Sequence, residues 1–252
     1  MERTVRSYLL PALGYFVVLQ LMLIAAIYYW PDFRENVGTF RKMAPAALKG
    51  LVDAFGSGGV SSYVNGQHFF KGCNTLGTAA AVLFSMGAVA GEAHRGTLEI
   101  WLARPFTRRR LLLERWVTGA LALCIPVFLT SATIPRLLAM HGETMDYSDL
   151  MLCSVQQSLL LLIIYSITFL WSVYSSRPAR LALVMLFAST MQFALYLVKG
   201  ITHFSLYRLS DLNVYSEILL RNELNLALVL PMVALIGVLL SLSLHGFARR
   251  TP

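Results

Sequence analysis

The residues able to do chemistry in this 252-residue chain are few, and most stand in one short stretch. It reads Gly91-Glu92-Ala93-His94-Arg95-Gly96-Thr97-Leu98-Glu99-Ile100-Trp101-Leu102-Ala103-Arg104-Pro105 and continues Phe106-Thr107-Arg108-Arg109-Arg110-Leu111-Leu112-Leu113-Glu114-Arg115-Trp116. Arg95 stands three residues after Glu92, the spacing of a helical ion pair. Leu98, Trp101 and Leu102 share one face of a short helix expected over about 97–104. Pro105 stops that helix, and Thr107 can cap the next one. Mixed charge on one side and apolar side chains on the other make an element that docks and transmits. A plain basic interfacial loop would have the same composition, so both readings stand at this point.

Elsewhere the chemistry is sparse. Cys73, Cys124 and Cys153 are widely spaced with no C-x-x-C, so they read as small packing residues. His68, His94, His141, His203 and His245 fall at expected span ends or in loops, too shallow for bis-histidine haem ligation. Gly56-Ser57-Gly58 falls in an expected external loop and not within a span, which argues against an intramembrane serine protease. No H-E-x-x-H and no Gly-Lys dipeptide occurs, so the chain has no P-loop and no metal or catalytic site is expected. Any ATP and Mg would sit on another polypeptide. The polar residues of the apolar runs are mild. Gln20, Ser189, Thr190 and Gln192 could line a substrate path or a dimer seam. Ordinary interhelical hydrogen bonds, worth roughly 0.6–2 kcal/mol each, are the plainer reading.

The elements that must position these residues follow from composition. Hydrophobic residues make up 57 % and charged ones 13 %, with a mean hydropathy of +0.63. The charges cluster between long uncharged runs, which argues against a soluble enzyme or a nucleic-acid-binding domain. A hydrocarbon core about 30 Å thick takes about 20 apolar helical residues. Six runs qualify, at about 8–30, 72–91, 116–138, 150–174, 181–200 and 224–247. The first is too long for a signal-peptide core and ends in Tyr28-Tyr29-Trp30, an interfacial anchor. The third contains Pro126 and Pro135, tolerated in a membrane helix with a kink. Gly87 and Gly91 form a G-x-x-x-G pair that permits close helix approach.

Sorting the charges by side orients the bundle. The side holding the N-terminus, residues 92–115, 175–180 and the C-terminus carries twelve basic and four acidic residues, a net of +8. The other side carries nine of each. The positive-inside rule places the first side, with both termini, in the cytoplasm. The longest external segment, 31–71, repeats Phe40, Met43, Ala47, Leu48, Leu51, Val52 and Phe55 at helical spacing, an amphipathic helix on the membrane surface or against the span ends. Residues 201–223 are too polar to span and suit short external or re-entrant helices between the fifth and sixth spans. The fold expected is an all-α integral membrane domain, one unit over 1–252.

The stretch at 91–108 resembles the signature of the ABC-2 family of ABC-transporter permeases. The match falls on Gly91, Glu92, Gly96, Thr97, Leu98, Glu99, Leu102, Pro105, Thr107 and Arg108. His94 stands where that family usually has an acidic or basic residue, and Glu114-Arg115 replaces a common Gly-Lys. The layout of the whole chain is also similar, down to Phe247-Ala248-Arg249-Arg250. The resemblance implies a non-enzymatic permease subunit of an exporter in the cell membrane; the weakly polar, charge-free spans suit a lipophilic or amphipathic substrate, and suit lipid-facing helices equally well. It also implies docking of a separate ATP-binding cassette ATPase on Glu92, Arg95, Gly96, Thr97, Leu98, Glu99, Trp101, Leu102 and Pro105. A second permease copy or sister chain would meet it along the first and fifth spans. Two rival classes are a scaffold that passes ATPase motion to an external partner and a secondary transporter. The latter should carry a mid-span Asp, Glu or His.

Overall fold

The computed structural model describes residues 2–45, 49, 52–53, 56, 58–102, 106–198 and 200–249, and among them every regular element is helical. Helix α1 (Glu2–Tyr28) buries Tyr8, Tyr15, Leu19, Leu23 and Ile27 along one face. Its other face leaves Leu9, Leu10, Leu13, Val17 and Leu21 exposed, an arrangement suited to lipid and not to water. Helix α2 (Trp30–Met43) follows after one residue, with Trp30 and Phe33 packed on Tyr63. The amphipathic helix expected over 40–55 is therefore not one element: α2 begins earlier and ends at Met43, with Ala44 extended. Ala47, Leu48, Leu51 and Phe55 lie outside the described residues.

The largest departure from expectation is at the second span. In place of a helix over 72–91, α3 (Gly59–Val64) runs into a π-helix (Asn65–Gly77) and then α4 (Thr78–Met86). The joining residues Val64, Asn65, Gly77 and Thr78 keep right-handed helical dihedrals, so the rod is continuous. Residues 59–71, ahead of the expected start at Gly72, are thus helical and mostly buried. Polar side chains hid them from hydropathy, and the bundle pairs several polar groups along the rod. The Gln157 amide donates to Asn74 Oδ1 at 2.8 Å, Tyr215 Oη donates to Gln157 Oε1, and Thr78 Oγ1 pairs with Tyr207 Oη at 3.0 Å. His68, expected at a span end, is instead buried with Nε2 3.1 Å from Ser131 Oγ.

At the end that the charge pattern assigns to the cytoplasm come α5 (Ala90–His94) and α6 (Leu98–Leu102). The long helices α7 (Arg108–Ala139), α8 (Tyr147–Tyr174), α9 (Pro178–Leu197) and α11 (Leu226–Arg249) complete the bundle. Thr107 caps α7 by accepting from the Arg110 amide, as its position predicts. Helix α8 is the axis: α4, α7 and α11 all pack on it, while α1 packs on α7. Between α9 and α11, two 3-10 turns (Thr202–Phe204, Leu206–Ser210) and α10 (Leu212–Arg221) dip into the bundle and bury Tyr207, Tyr215 and Ile218. Among the described residues, five helices are long and apolar enough to cross a membrane: α1 over Arg6–Tyr28, α7, α8, α9 and α11.

Side-chain contacts fix which helix ends lie together. Tyr8, Phe84, Arg115 and Ser172 meet at one end, and Arg108 donates to Ala248 O there at 3.3 Å. Trp30, Arg34 and Glu143 meet at the other, with the indole N–H 3.2 Å from the carboxylate. The start of α1 and the end of α11 therefore share an end. The glycines that permit close approach are Gly77, Gly119 and Gly246, where an added Cβ would meet Leu161, Tyr165 and Tyr174. Within this chain Gly87 and Gly91 bring no helix close; a Cβ at Gly87 meets nothing, and at Gly91 only the tip of Arg95.

Candidate functional site: the clamped turn after the second helix

The rod of 59–86 ends at Met86, and the chain turns through Gly87, Ala88 and Val89 before α5. A broken helix exposes carbonyls and amides, and at a buried break each needs a partner. Three neighbouring elements supply them. Tyr8 Oη on α1 donates to Phe84 O at 3.1 Å. Arg115 Nη1 on α7 donates to Ala88 O at 2.8 Å. Ser172 Oγ on α8 donates to Met86 O at 3.0 Å and accepts from the Val89 and Ala90 amides at 3.2 and 3.0 Å. Ala88, Val89 and Ala90 are fully buried in consequence.

The turn out of α5 explains the spacing in Glu92-x-x-x-Gly96-Thr97. The Gly96 amide donates to Ala93 O at 3.2 Å and the Thr97 amide to Glu92 O at 3.0 Å, the paired bonds of a Schellman motif. Gly96 holds φ +68°, the left-handed region in which a side chain is strained. That turn swings Thr97 back over Glu92, and Thr97 Oγ1 donates to Glu92 Oε2. Glu92 Oε1 also accepts from Arg115 Nη2 at 2.5 Å and from Arg95 Nη2 at 3.0 Å. Burial alone would raise the Glu92 carboxyl pKa. The Thr97 and Arg115 hydrogen bonds and the two guanidinium charges outweigh it and hold the carboxyl at about 2. Glu92 is therefore a fixed anion joining α5 to α7, and its acceptor oxygens are spent on structure.

The structure brings Glu92, Arg95, Gly96 and Thr97 together as one turn and sends Leu98 inward. His94, Arg95, Gly96, Glu99 and Ile100 remain exposed on its outer side. Trp101 and Leu102 belong to α6, but their side chains, and the whole of Pro105, lie outside the described residues. Helix α6 is described over Leu98–Leu102, and residues 103–104 of the expected 97–104 lie outside the described residues. The four polar residues considered for a path or seam do not gather. Gln20 pairs with Thr133 on α7 at 3.0 Å, and Gln192 Oε1 accepts from the Leu206 amide at 3.0 Å. Ser189 is half-buried, and exposed Thr190 bonds its own helix at Leu186 O.

Sequence reasoning missed the clamp itself. Local spacing finds Arg95 but not Arg115, 23 residues on. One signal was present: Arg115 is the last of the basic run and abuts Trp116 at the start of an apolar helix, where an unpaired charge is costly. Ser172 left no sequence signal, being one hydroxyl among several in α8.

A bundle of long apolar helices, closed at one end by a clamped polar turn that leaves a charged face outward, is that of a multi-pass membrane protein. The sequence model of the family described as ABC-2 family transporter protein matches residues 2–211, and the chain belongs to that family. The family is one of ABC-transporter membrane subunits, typically non-enzymatic and served by a separate ATPase. No curated protein matches the chain.

Proposed function

We propose that the chain is the permease subunit of an ATP-driven ABC transporter of the exporter type, and that residues 92–106 dock its ATPase. The observation that carries this reading is the clamp. A push on the exposed face of Arg95, Glu99 and Ile100 passes through Glu92–Arg115 into α7 and through Ser172 into α8. Rigid polar joints to two helices are what a transmitting element needs. The rod of 59–86 serves as a sixth span, with His68, Asn74 and Thr78 each paired across the bundle. With it, both termini face the cytoplasm in the cell membrane, in keeping with the basic excess at that end.

Two such subunits, identical or sister chains, meet along α1 and α9. The exposed apolar faces of those helices, with Leu13 and Val17 on one and Leu183 and Phe187 on the other, support that seam. The amides of Gln20 and Gln192 do not, since each already has a partner. The charge-free spans suit a lipophilic or amphipathic cargo. Cysteines at Glu99 and Ile100 should crosslink to a P-loop ATPase that purifies with the chain. Labelling of either site by an impermeant reagent outside intact cells, or a functional complex without any such ATPase, would overturn the proposal.

A further inference from the structure

A groove of about 1050 Å³ runs between α1 and α4 toward the clamped turn. It lies at the top of the range of about 300–1,000 Å³ typical of small-ligand sites. Small residues hollow it: Gly14, Ala79 and Gly87 line it beside Pro11, Val18 and Leu83. A Cβ added at Gly14 or Gly87 would meet nothing within 4 Å. Along α1 the lining extends from Ser7 to Val18. Eleven steps along the helix at about 1.5 Å each give roughly 16 Å, about half of a hydrocarbon core about 30 Å thick. The groove is thus one leaflet deep.

Its polar end has a definite sign. Arg95, Arg115 and Glu92 line it there, leaving one net positive charge. The Arg95 side chain is 61 % exposed at this mouth, whereas both Glu92 oxygens are taken by Thr97 and the two arginines. A cationic amphiphile would meet a Glu92 carboxylate only 14 % exposed and already held by two guanidiniums, whereas an anionic head would meet the accessible Arg95 guanidinium, the group suited to phosphate.

We propose that this groove binds an anionic phospholipid of the adjacent leaflet, its phosphate at Arg95 and one acyl chain along Gly14, Ala79 and Leu83. The lipid would tie the clamped turn to the membrane composition. The inference rests on the chain being membrane-embedded and on no assumption about ATP coupling; beside the proposed seam it requires that a second copy meet α1 on its Leu13 and Val17 side and leave the Pro11, Gly14 and Val18 side open.

The test uses the full chain in nanodiscs with diazirine-tailed phosphatidylglycerol, and diazirine-tailed phosphatidylcholine as the comparison. Photolabelling of peptides covering 7–18 and 76–87 should favour phosphatidylglycerol at least about fivefold. Gly14→Trp, which fills open space, should lower that labelling about tenfold, and Gly87→Leu should do the same by an independent route. Arg95→Gln should bring the two lipids within about twofold of each other. Equal labelling by both lipids in the native protein, or labelling indifferent to both filling variants, overturns the proposal. Labelling that falls as protein per nanodisc rises also overturns it, since a second copy then covers the groove.

Discussion

Replacing Glu92 by glutamine separates a structural anion from a reacting one. The substituted amide keeps the shape and one acceptor oxygen of the carboxylate but sets its own N–H against donors. The Arg95 arm is 61 % exposed and returns to water, at a cost of about 0–1 kcal/mol. The Arg115 arm is 17 % exposed, so its loss is felt more, and a hydrogen bond to a charged group is worth about 1.5–3 kcal/mol. Together these give about 2 kcal/mol, which raises the opening equilibrium of the turn roughly 30-fold at about 1.4 kcal/mol per decade. The helices themselves keep their packing, so global unfolding should move by only a few degrees. Amide hydrogen exchange at Gly96 and Thr97, whose N–H groups close the turn, should therefore accelerate about 30-fold while α8 is unchanged. The carboxyl at about 2 lies below its ordinary range, so its contribution is complete above about pH 4.5 and fades as pH falls toward 2. Glu92→Gln should lack that acid-dependent loosening. Unchanged exchange at Gly96 and Thr97, or the same acid response in both proteins, would refute the argument. Basal hydrolysis by a bound ATPase should survive the substitution, with transport per ATP reduced.

Three further outcomes follow from the packing. Ser172→Ala leaves one carbonyl and two amides without their shared partner, at about 3 kcal/mol, and should lower the detergent melting temperature by roughly 6–12 °C. Thr168→Ala, whose hydroxyl bonds its own helix at Ile164 O, should move it far less. Gly96→Ala places a side chain at φ +68° for about 1–2 kcal/mol and should raise protease cleavage near residues 96–100 with little change in the melt. Gly119→Ala drives a Cβ into Tyr165 and should destabilise the α7–α8 contact, with Tyr165→Phe recovering part of the loss; no coupling between the two in a double-mutant cycle would contradict the geometry.

Much of the fold was legible because a membrane helix advertises itself by length and apolarity. Helices α1, α7, α8, α9 and α11 lie close to the runs expected for spans 1, 3, 4, 5 and 6, and Thr107 caps where its position allows. The rod of 59–86 was half legible, from Gly72 onward. Hydropathy scores Asn65, Gln67, His68 and Asn74 as if water were their partner. In the bundle, two of those partners are Ser131 for His68 and Gln157 for Asn74, 63 and 83 positions away. No local window contains that pairing. The site divides in the same way: the Glu92–Arg95 pair is a local spacing, whereas Arg115 and Ser172 reach the turn only through packing.

That division separates the shape of the turn from its placement on the bundle. The local bonds, Glu92 with Arg95 and Thr97, set the shape of the turn and would persist if it moved as a unit. The long-range bonds, Arg115 to Ala88 O and Ser172 to Met86 O and the Val89 and Ala90 amides, set where the turn sits on α7 and α8. A load on the exposed face reaches α7 through Arg115, which also holds Glu92, and α8 through Ser172. Arg115 has a long stem that can swing while keeping its bonds, and Ser172 has none. Ser172 therefore ties the backbone of 86–90 to the end of α8 more rigidly than Arg115 ties it to α7.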